Sequence, residues 1–332
     1  MTSASATPVV PKVGETSMIA RLFGWGMLGI LFAFAIVNVL NVGWGIPGTH
    51  EILAGSEEGG TLIAWLIYAA GLGLAVAYVV TTPGRNLRWD AMKIHDFNVY
   101  LVRACFWSVL LVGVVDATIA LMRVENLLGF LGEDMVRELG RAQFIGPNIH
   151  LPLVGLGLII ALFTRTLGFH WLALLIVLAE LLIVISRFGF SYEQALMGDL
   201  VRYWYAALFL FASAYTLFED GHVRVDVLYS GFGYTKRGFV NAWGSILLGM
   251  STAWVILAIG FNGKQSIINS PVMNFEVTQS GSTGMYVKYQ MAAFLGIFGA
   301  TMLIQFISYF LESVADWRDH KGRREIAPAA AH

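Results

Sequence analysis

The 332-residue chain has little charge and no excess of either sign. Lys and Arg number 21 against 22 Asp and Glu, and charged residues make up only 13% of the whole. No basic run is long enough to follow a phosphate backbone, so charge excludes a nucleic-acid partner. The single cysteine, Cys105, cannot form an intrachain disulfide, and its place inside an apolar run suits a buried or lipid-facing thiol. Metal-ligand spacings, a Walker A sequence, a nucleophile elbow and His-Glu-x-x-His are all missing. ATP hydrolysis, acyl transfer and zinc proteolysis therefore have no residues to act through, and neither enzyme activity nor a cofactor is expected.

What the chain has in abundance is apolar sequence: 57% of its residues are hydrophobic and its mean hydropathy is +0.68, outside the range of soluble domains of this size. A bilayer core of about 30 Å is crossed by roughly 20 apolar residues in helical form. Eight such runs occur, at about 19–41, 61–81, 98–121, 148–166, 170–190, 202–219, 239–262 and 287–311. The expected fold is an all-α polytopic membrane bundle of about eight transmembrane helices, with membrane lipids as its surroundings. The seven histidines, His50, His95, His150, His170, His222, His320 and His332, fall at or beyond the ends of these runs, so no facing pair is available for haem. The first run continues past Ala33 and Ala35, longer than the apolar core of a cleaved signal, and reads as a retained anchor.

One or two short interfacial helices are also expected. In 123–147, Leu127, Leu128, Phe130, Leu131, Met135, Val136 and Leu139 recur near helical spacing among charges, as in a helix lying along the membrane surface. An ordinary folded external loop is the alternative. The stretch SYEQALMGDL at 191–200 has similar character. Residues 1–18 and the APAAAH end show no periodicity and are expected to be disordered.

Orientation follows from Lys and Arg. The loop at 42–60 has neither but carries Glu51, Glu57 and Glu58, whereas the next holds Arg85, Arg88 and Lys93. Residues 220–237 carry Arg224, Lys236 and Arg237, and the tail carries Arg318, Lys321, Arg323 and Arg324. Both termini are thereby expected in the cytosol, and the mostly uncharged loop 263–286 on the outside.

Ionisable groups inside spans need a partner or a task. Glu180 lies near the middle of the fifth run, Asp116 two-thirds along the third, and Arg103 near the cytosolic end of that same run. Arg103 and Asp116 are roughly 20 Å apart along a helix and cannot pair. Glu180 or Asp116 could serve as a proton or sodium site, or as a structural hydrogen bond between helices. The absence of broken-helix pairs and repeated halves favours the structural role. Small residues in GLGLAVA (71–77) and LPLVGLGLIIA (151–161) suit close helix packing.

The stretch FEDGHVRVDVLY at 218–229 places Glu219 and Asp220 at a helix C-terminus, where the dipole disfavours them unless Arg224, Lys236 or Arg237 stands close. If extended, His222, Arg224 and Asp226 share one face and Val223, Val225 and Val227 the other. From Arg187 to Tyr229 the sequence resembles the small, DctQ-type membrane subunit of tripartite ATP-independent periplasmic (TRAP) transporters. The matching features are Arg187 at the end of a helix and the cytosolic run His222, Val223, Arg224, Val225, Asp226. Beyond that stretch the later spans match too, with Glu276 in an external loop and Lys288 entering the last span. Only Asp199 stands where the family often has an acidic pair, with Glu193 upstream.

The resemblance covers about 170–315. It divides the chain into a cytosolic start at 1–18, a four-helix extension at 19–169, a DctQ-like four-helix part at 170–315 and a cytosolic tail at 316–332. It implies a non-catalytic scaffold of a sodium-coupled importer in a bacterial inner membrane. Such a subunit supports a large DctM-type subunit and helps dock a periplasmic DctP-type binding protein, for uptake of an organic anion such as a carboxylate. The competing reading is a self-sufficient secondary transporter with Glu180 or Asp116 as its ion site.

Overall fold

The computed structural model describes residues 10–55, 59–165, 169–219, 229–278 and 280–323. The chain is all-α; among the described residues the only strand-like pairing is an isolated bridge between Val13 and Arg85. Among the described residues, eight helical stretches are long and apolar enough to cross a membrane. The first half runs α1 (Met18–Trp44), the short α2 (Thr49–Leu53), α3 (Thr61–Thr81) and α4 (Leu87–Val124). Two short helices follow, a 3-10 turn at Leu127–Leu131 and α5 (Glu133–Leu139). The fourth span, Ala142–Phe163, joins α6 (Ala142–Ile145), a π turn at Gly146–His150 and α7 (Leu151–Phe163).

Next come α8 (Phe169–Phe190) and α9 (Ala195–Phe218). The seventh span, Tyr234–Gly260, joins α10 (Tyr234–Gly244), a π turn at Ser245–Met250 and α11 (Ser251–Gly260). The short α12 (Asn269–Met273) and the last span, α13 (Lys288–Trp317), complete the order.

Several boundaries differ from those expected. α4 starts at Leu87 rather than near 98, because its polar first turns find partners and remain helical; hydropathy registers only the apolar part. His95 consequently lies well inside a helix, not at a span end: it is buried, 3.0 Å from Gln305 and stacked on Phe218. α9 takes up 195–200, so the second interfacial stretch reduces to a link at 191–194 with Ser191 at φ 53°. The segment after α4 forms two short helices, not one. Leu128 and Leu139 turn inward onto Ala142, Ile145 and Tyr286, while Leu127 and Phe130 stay exposed. Residues 1–9 and 324–332 lie outside the described residues.

The helices divide into two compact units, each assembled from segments distant in sequence. The first comprises Met1–Phe97, Thr216–Val255 and Met302–His332. Its α1 and α3 cross through glycine: a Cβ on Gly29 would lie 2.5 Å from the Gly71 carbonyl oxygen, and one on Gly71 2.6 Å from that of Gly29. Such backbone approach is available only to residues without a side chain, and it replaces the hydrophobic drive that lipid cannot supply. α1 ends on Gly45, whose left-handed φ of 73° returns its N–H to Asn41 O. Residues 10–17 form no helix but pair with the turn after α3 through Gly14 N–H to Gly84 O and Lys12 O from Asn86 N–H.

Two buried arginines hold this unit. Arg21 donates from Nε to Asp90 at 2.6 Å and to the carbonyl and hydroxyl of Thr82; Asp90 also accepts from Trp25 and Tyr78. Arg88 meets Glu312 and Asp316 of α13 and donates to the carbonyls of His320 and Lys321. Both guanidiniums are 1% exposed, so each sits where an unpaired charge would be expensive, and each is fully met.

The second unit comprises Asn98–Tyr215 and Ile256–Thr301. Its α4 and α7 approach through Gly157 against Ser108, and α9 packs on α4 by placing Trp204 over Gly113. Phe211 joins Phe106 and Phe294 edge to face.

Replacing Gly71 by Ile should lower the stability of the detergent-solubilised chain by at least about 2 kcal/mol through overpacking, measured by thermal unfolding. Gly73→Ala, where a Cβ meets nothing within 4 Å, should leave it unchanged. Equal effects would exclude the glycine crossing. Burial holds the His320 imidazole below its ordinary value of 6.5, with Glu15 opposing and Arg318 and Arg88 adding to the effect. The unfolded chain then binds the proton more readily, so this group's contribution is present above pH 6.5 and is lost as pH falls below it. His320→Gln should flatten the wild-type slope of melting temperature in that window.

Candidate functional site

The second unit holds a continuous line of buried polar side chains contributed by α4, α9, α13 and the π turn at Gly146–His150. Asp116 is fully buried in the apolar half of α4. Its Oδ2 accepts the Tyr286 backbone N–H at 2.7 Å, and its Oδ1 faces His150 Nε2 at 3.3 Å. His150 Nδ1 is 2.9 Å from the Tyr289 hydroxyl, which accepts from Gln290 Nε2 at 3.0 Å; Gln290 Oε1 accepts from Tyr203. His150 and Tyr203 are also fully buried.

Local sequence explains how His150 reaches this line. Pro147 and Pro152 flank it in GPNIHLP, and each lacks a backbone donor, so the α ladder cannot close and the turn widens. Gly146 leaves room for Phe275, whose ring would collide with any side chain there. The other face of Asp116 is closed by Met285, Tyr286 and Val287, the last residues before α13. A loop expected to be wholly external thus ends inside the protein. Arg123 ties it down by donating to the carbonyls of Ser282 and Gly284 while lying 4.2 Å over the Tyr286 ring. Tyr286 donates its hydroxyl to Gly140 O, and burial raises its pKa above the ordinary phenol value, Arg123 opposing and Asp116 adding.

One assignment of protons runs along this line and leaves only its last step, from His150 to Asp116, without a formed hydrogen bond. Tyr203 donates to Gln290, Gln290 to Tyr289, Tyr289 to His150 Nδ1, and His150 Nε2–H points at Asp116. All donors run one way toward Asp116, whose Oδ2 is held by the Tyr286 N–H. No group of three or more His, Cys, Asp or Glu side chains among the described residues could hold a metal ion.

The other candidate residues fall in separate places. Asp199 is buried at the start of α9, accepting from Thr278, the Met285 N–H and Arg202. Glu276 and Lys288 form an ion pair at 2.7 Å. Arg187 pairs with Glu193 at 3.5 Å, both exposed. Arg103 caps the end of α7 by donating to the carbonyls of Thr164 (2.8 Å) and Ala161 (3.4 Å), and neither it nor Asp116 bonds the other. His222, Val223, Arg224, Val225 and Asp226 lie outside the described residues.

Glu180 stands apart. It lies near the middle of α8, on a face where Val177, Leu181 and Val184 are exposed, and is itself exposed. No hydrogen bond or ion pair joins it to any described residue, and in hydrocarbon a carboxylate in that position has nothing to balance it.

His150, Tyr289, Gln290 and Tyr203 were not singled out from sequence. Asp116 in an apolar run signals that a partner exists, but nothing in a linear pattern names it, and His150 was placed at the very end of the run 148–166, whereas the helical span begins at Ala142. No family model matches the chain, and neither a curated protein nor a solved structure matches it.

Asp116→Ala would strand the buried Tyr286 N–H and should cost about 1–3 kcal/mol, the penalty for a buried donor left unsatisfied. Asp116→Asn keeps an acceptor for Tyr286 but not for His150, and should cost less. A double-mutant cycle with His150→Ala should return a coupling of about 0.5–3 kcal/mol. Strict additivity would show that the two side chains do not interact.

Proposed function

We propose that the chain is a non-catalytic scaffold subunit of a sodium-coupled TRAP importer, an enlarged relative of the DctQ-type small subunit with four additional N-terminal membrane helices. In this reading it sits in a bacterial inner membrane with both termini in the cytosol. It supports a large DctM-type subunit that moves the substrate, and helps dock a periplasmic DctP-type binding protein that delivers an organic anion such as a carboxylate.

The observation that carries this reading is Glu180. A carboxylate exposed at mid-helix among apolar side chains is tolerable if a neighbouring membrane polypeptide covers it with a donor, and that is what an assembly subunit requires. α8 is also the helix from which the family resemblance starts. The setting of Asp116 supports the same view: it is fully buried, its Oδ2 accepts the Tyr286 N–H and its Oδ1 faces His150, which suits a helix-joining role better than an ion that must enter and leave.

The test is purification of the tagged chain from its native membrane in mild detergent, with mass spectrometry of co-purifying proteins. A larger multi-span membrane protein should be recovered in stoichiometric amount, and Glu180→Ala should lower its recovery severalfold while the chain itself stays monodisperse. Transport by the purified chain alone in liposomes would instead establish the self-sufficient transporter.

A further inference from the structure

Within the second unit, α4 and α8 line an apolar cleft of about 230 Å³, formed by Phe106, Trp107, Leu110, Trp171 and Leu175. It is smaller than the roughly 300–1,000 Å³ usual for a drug-sized ligand and offers no polar group to orient one. Its lining suits a flexible hydrocarbon chain better than a ring cofactor. One rim of the cleft is anchored: Trp107 donates its indole N–H to the Thr164 hydroxyl at 3.1 Å, and Thr164 O in turn receives Arg103, one turn before Trp107 on α4.

Two cations meet at this rim with no counter-ion among the described residues. Arg103 bonds only carbonyl oxygens, those of Ala161 and Thr164, and its Nε is buried with no hydrogen-bond partner. Arg165 directly follows Thr164, is exposed, and makes no hydrogen bond or ion pair with any described residue. The contrast with Arg21 and Arg88, each matched to carboxylates at close range, is direct. Like charges near a low-dielectric region repel and are poorly hydrated, so the rim suits an anion. The cleft beside it demands hydrocarbon, and two tryptophans in the lining suit the level where lipid tails give way to headgroups.

We propose that this is a binding site for one anionic phospholipid, with its phosphate on Arg103 and Arg165 and an acyl chain in the cleft between Phe106, Trp107 and Trp171. Basic pockets between membrane helices recognise anionic headgroups by this combination of charge and apolar groove. Phosphate recognition is shared by the lipid and by free phosphate, and only the lipid uses both halves of the site.

The test uses the purified full chain in detergent, with native mass spectrometry and thermal unfolding after addition of phosphatidylglycerol, phosphatidylcholine with the same acyl chains, or inorganic phosphate. Phosphatidylglycerol should be retained in preference to phosphatidylcholine and should raise the melting temperature, and phosphate alone should do neither. Each arginine replaced by Gln should weaken retention about fivefold. Arg165→Gln is the primary variant, because the side chain makes no contact that folding needs; Arg103→Gln is the second. Trp171→Ala should weaken retention of both lipids. Equal retention of the two lipids, or undiminished preference in Arg165→Gln, would overturn the proposal. Stabilisation by phosphate equal to that by phosphatidylglycerol would assign the rim to a free anion and overturn it as well.

Discussion

Charge in a medium that cannot solvate it is the constraint on which the rest of this structure depends. The chain keeps few ionisable groups, and the buried ones are met at close range. Asp90 takes three donors from α1 and α3, and Arg88 takes two carboxylates and two carbonyls. Asp116 takes a backbone N–H from a loop and faces an imidazole. Each arrangement joins segments far apart in sequence. The helices are apolar enough to enter a membrane in many relative positions, because lipid tails and leucine side chains are nearly equivalent neighbours. Polar contacts remove that degeneracy, since a misplaced helix would leave a charge bare.

Glycine does the complementary work. At Gly29 and Gly71 two backbones approach more closely than any side chain permits, and at Gly157 and Gly113 a glycine receives a serine or a tryptophan from the neighbouring helix. Dispersion between closely apposed surfaces falls steeply with separation, so close approach at a few points contributes more than loose contact along a whole face. Close packing fixes distance, and paired charges fix register.

The eight spans were legible because an apolar run of sufficient length has essentially one structural meaning. Their ends were less so, and the misplacement had a consistent cause. Hydropathy stops at the first charge, whereas the helix continues as long as its charges find partners, as Arg88, Asp90 and His95 do at the start of α4. Gly71 and Gly157 could be anticipated as packing positions, while Gly73 and Gly155, identical in local pattern, face open space. The need of Asp116 for a partner was readable from its surroundings. The identity of His150 was not, since it depends on a long-range meeting of α4 with a distorted turn. Glu180 is the converse case: the same reasoning that demanded a partner found none among the described residues.

The π turns at Gly146–His150 and Ser245–Met250 bear on how the fourth and seventh spans present themselves to their surroundings. A wide turn holds an extra residue without lengthening the hydrogen-bond ladder in proportion, so the side chains after it are rotated by about 100° relative to an uninterrupted α-helix. Along the seventh span the buried positions Gly238, Ala242, Ser245, Gly249, Met250 and Ala253 nevertheless follow one another at helical spacing, so the wide turn takes up its extra residue without moving the buried face out toward the membrane.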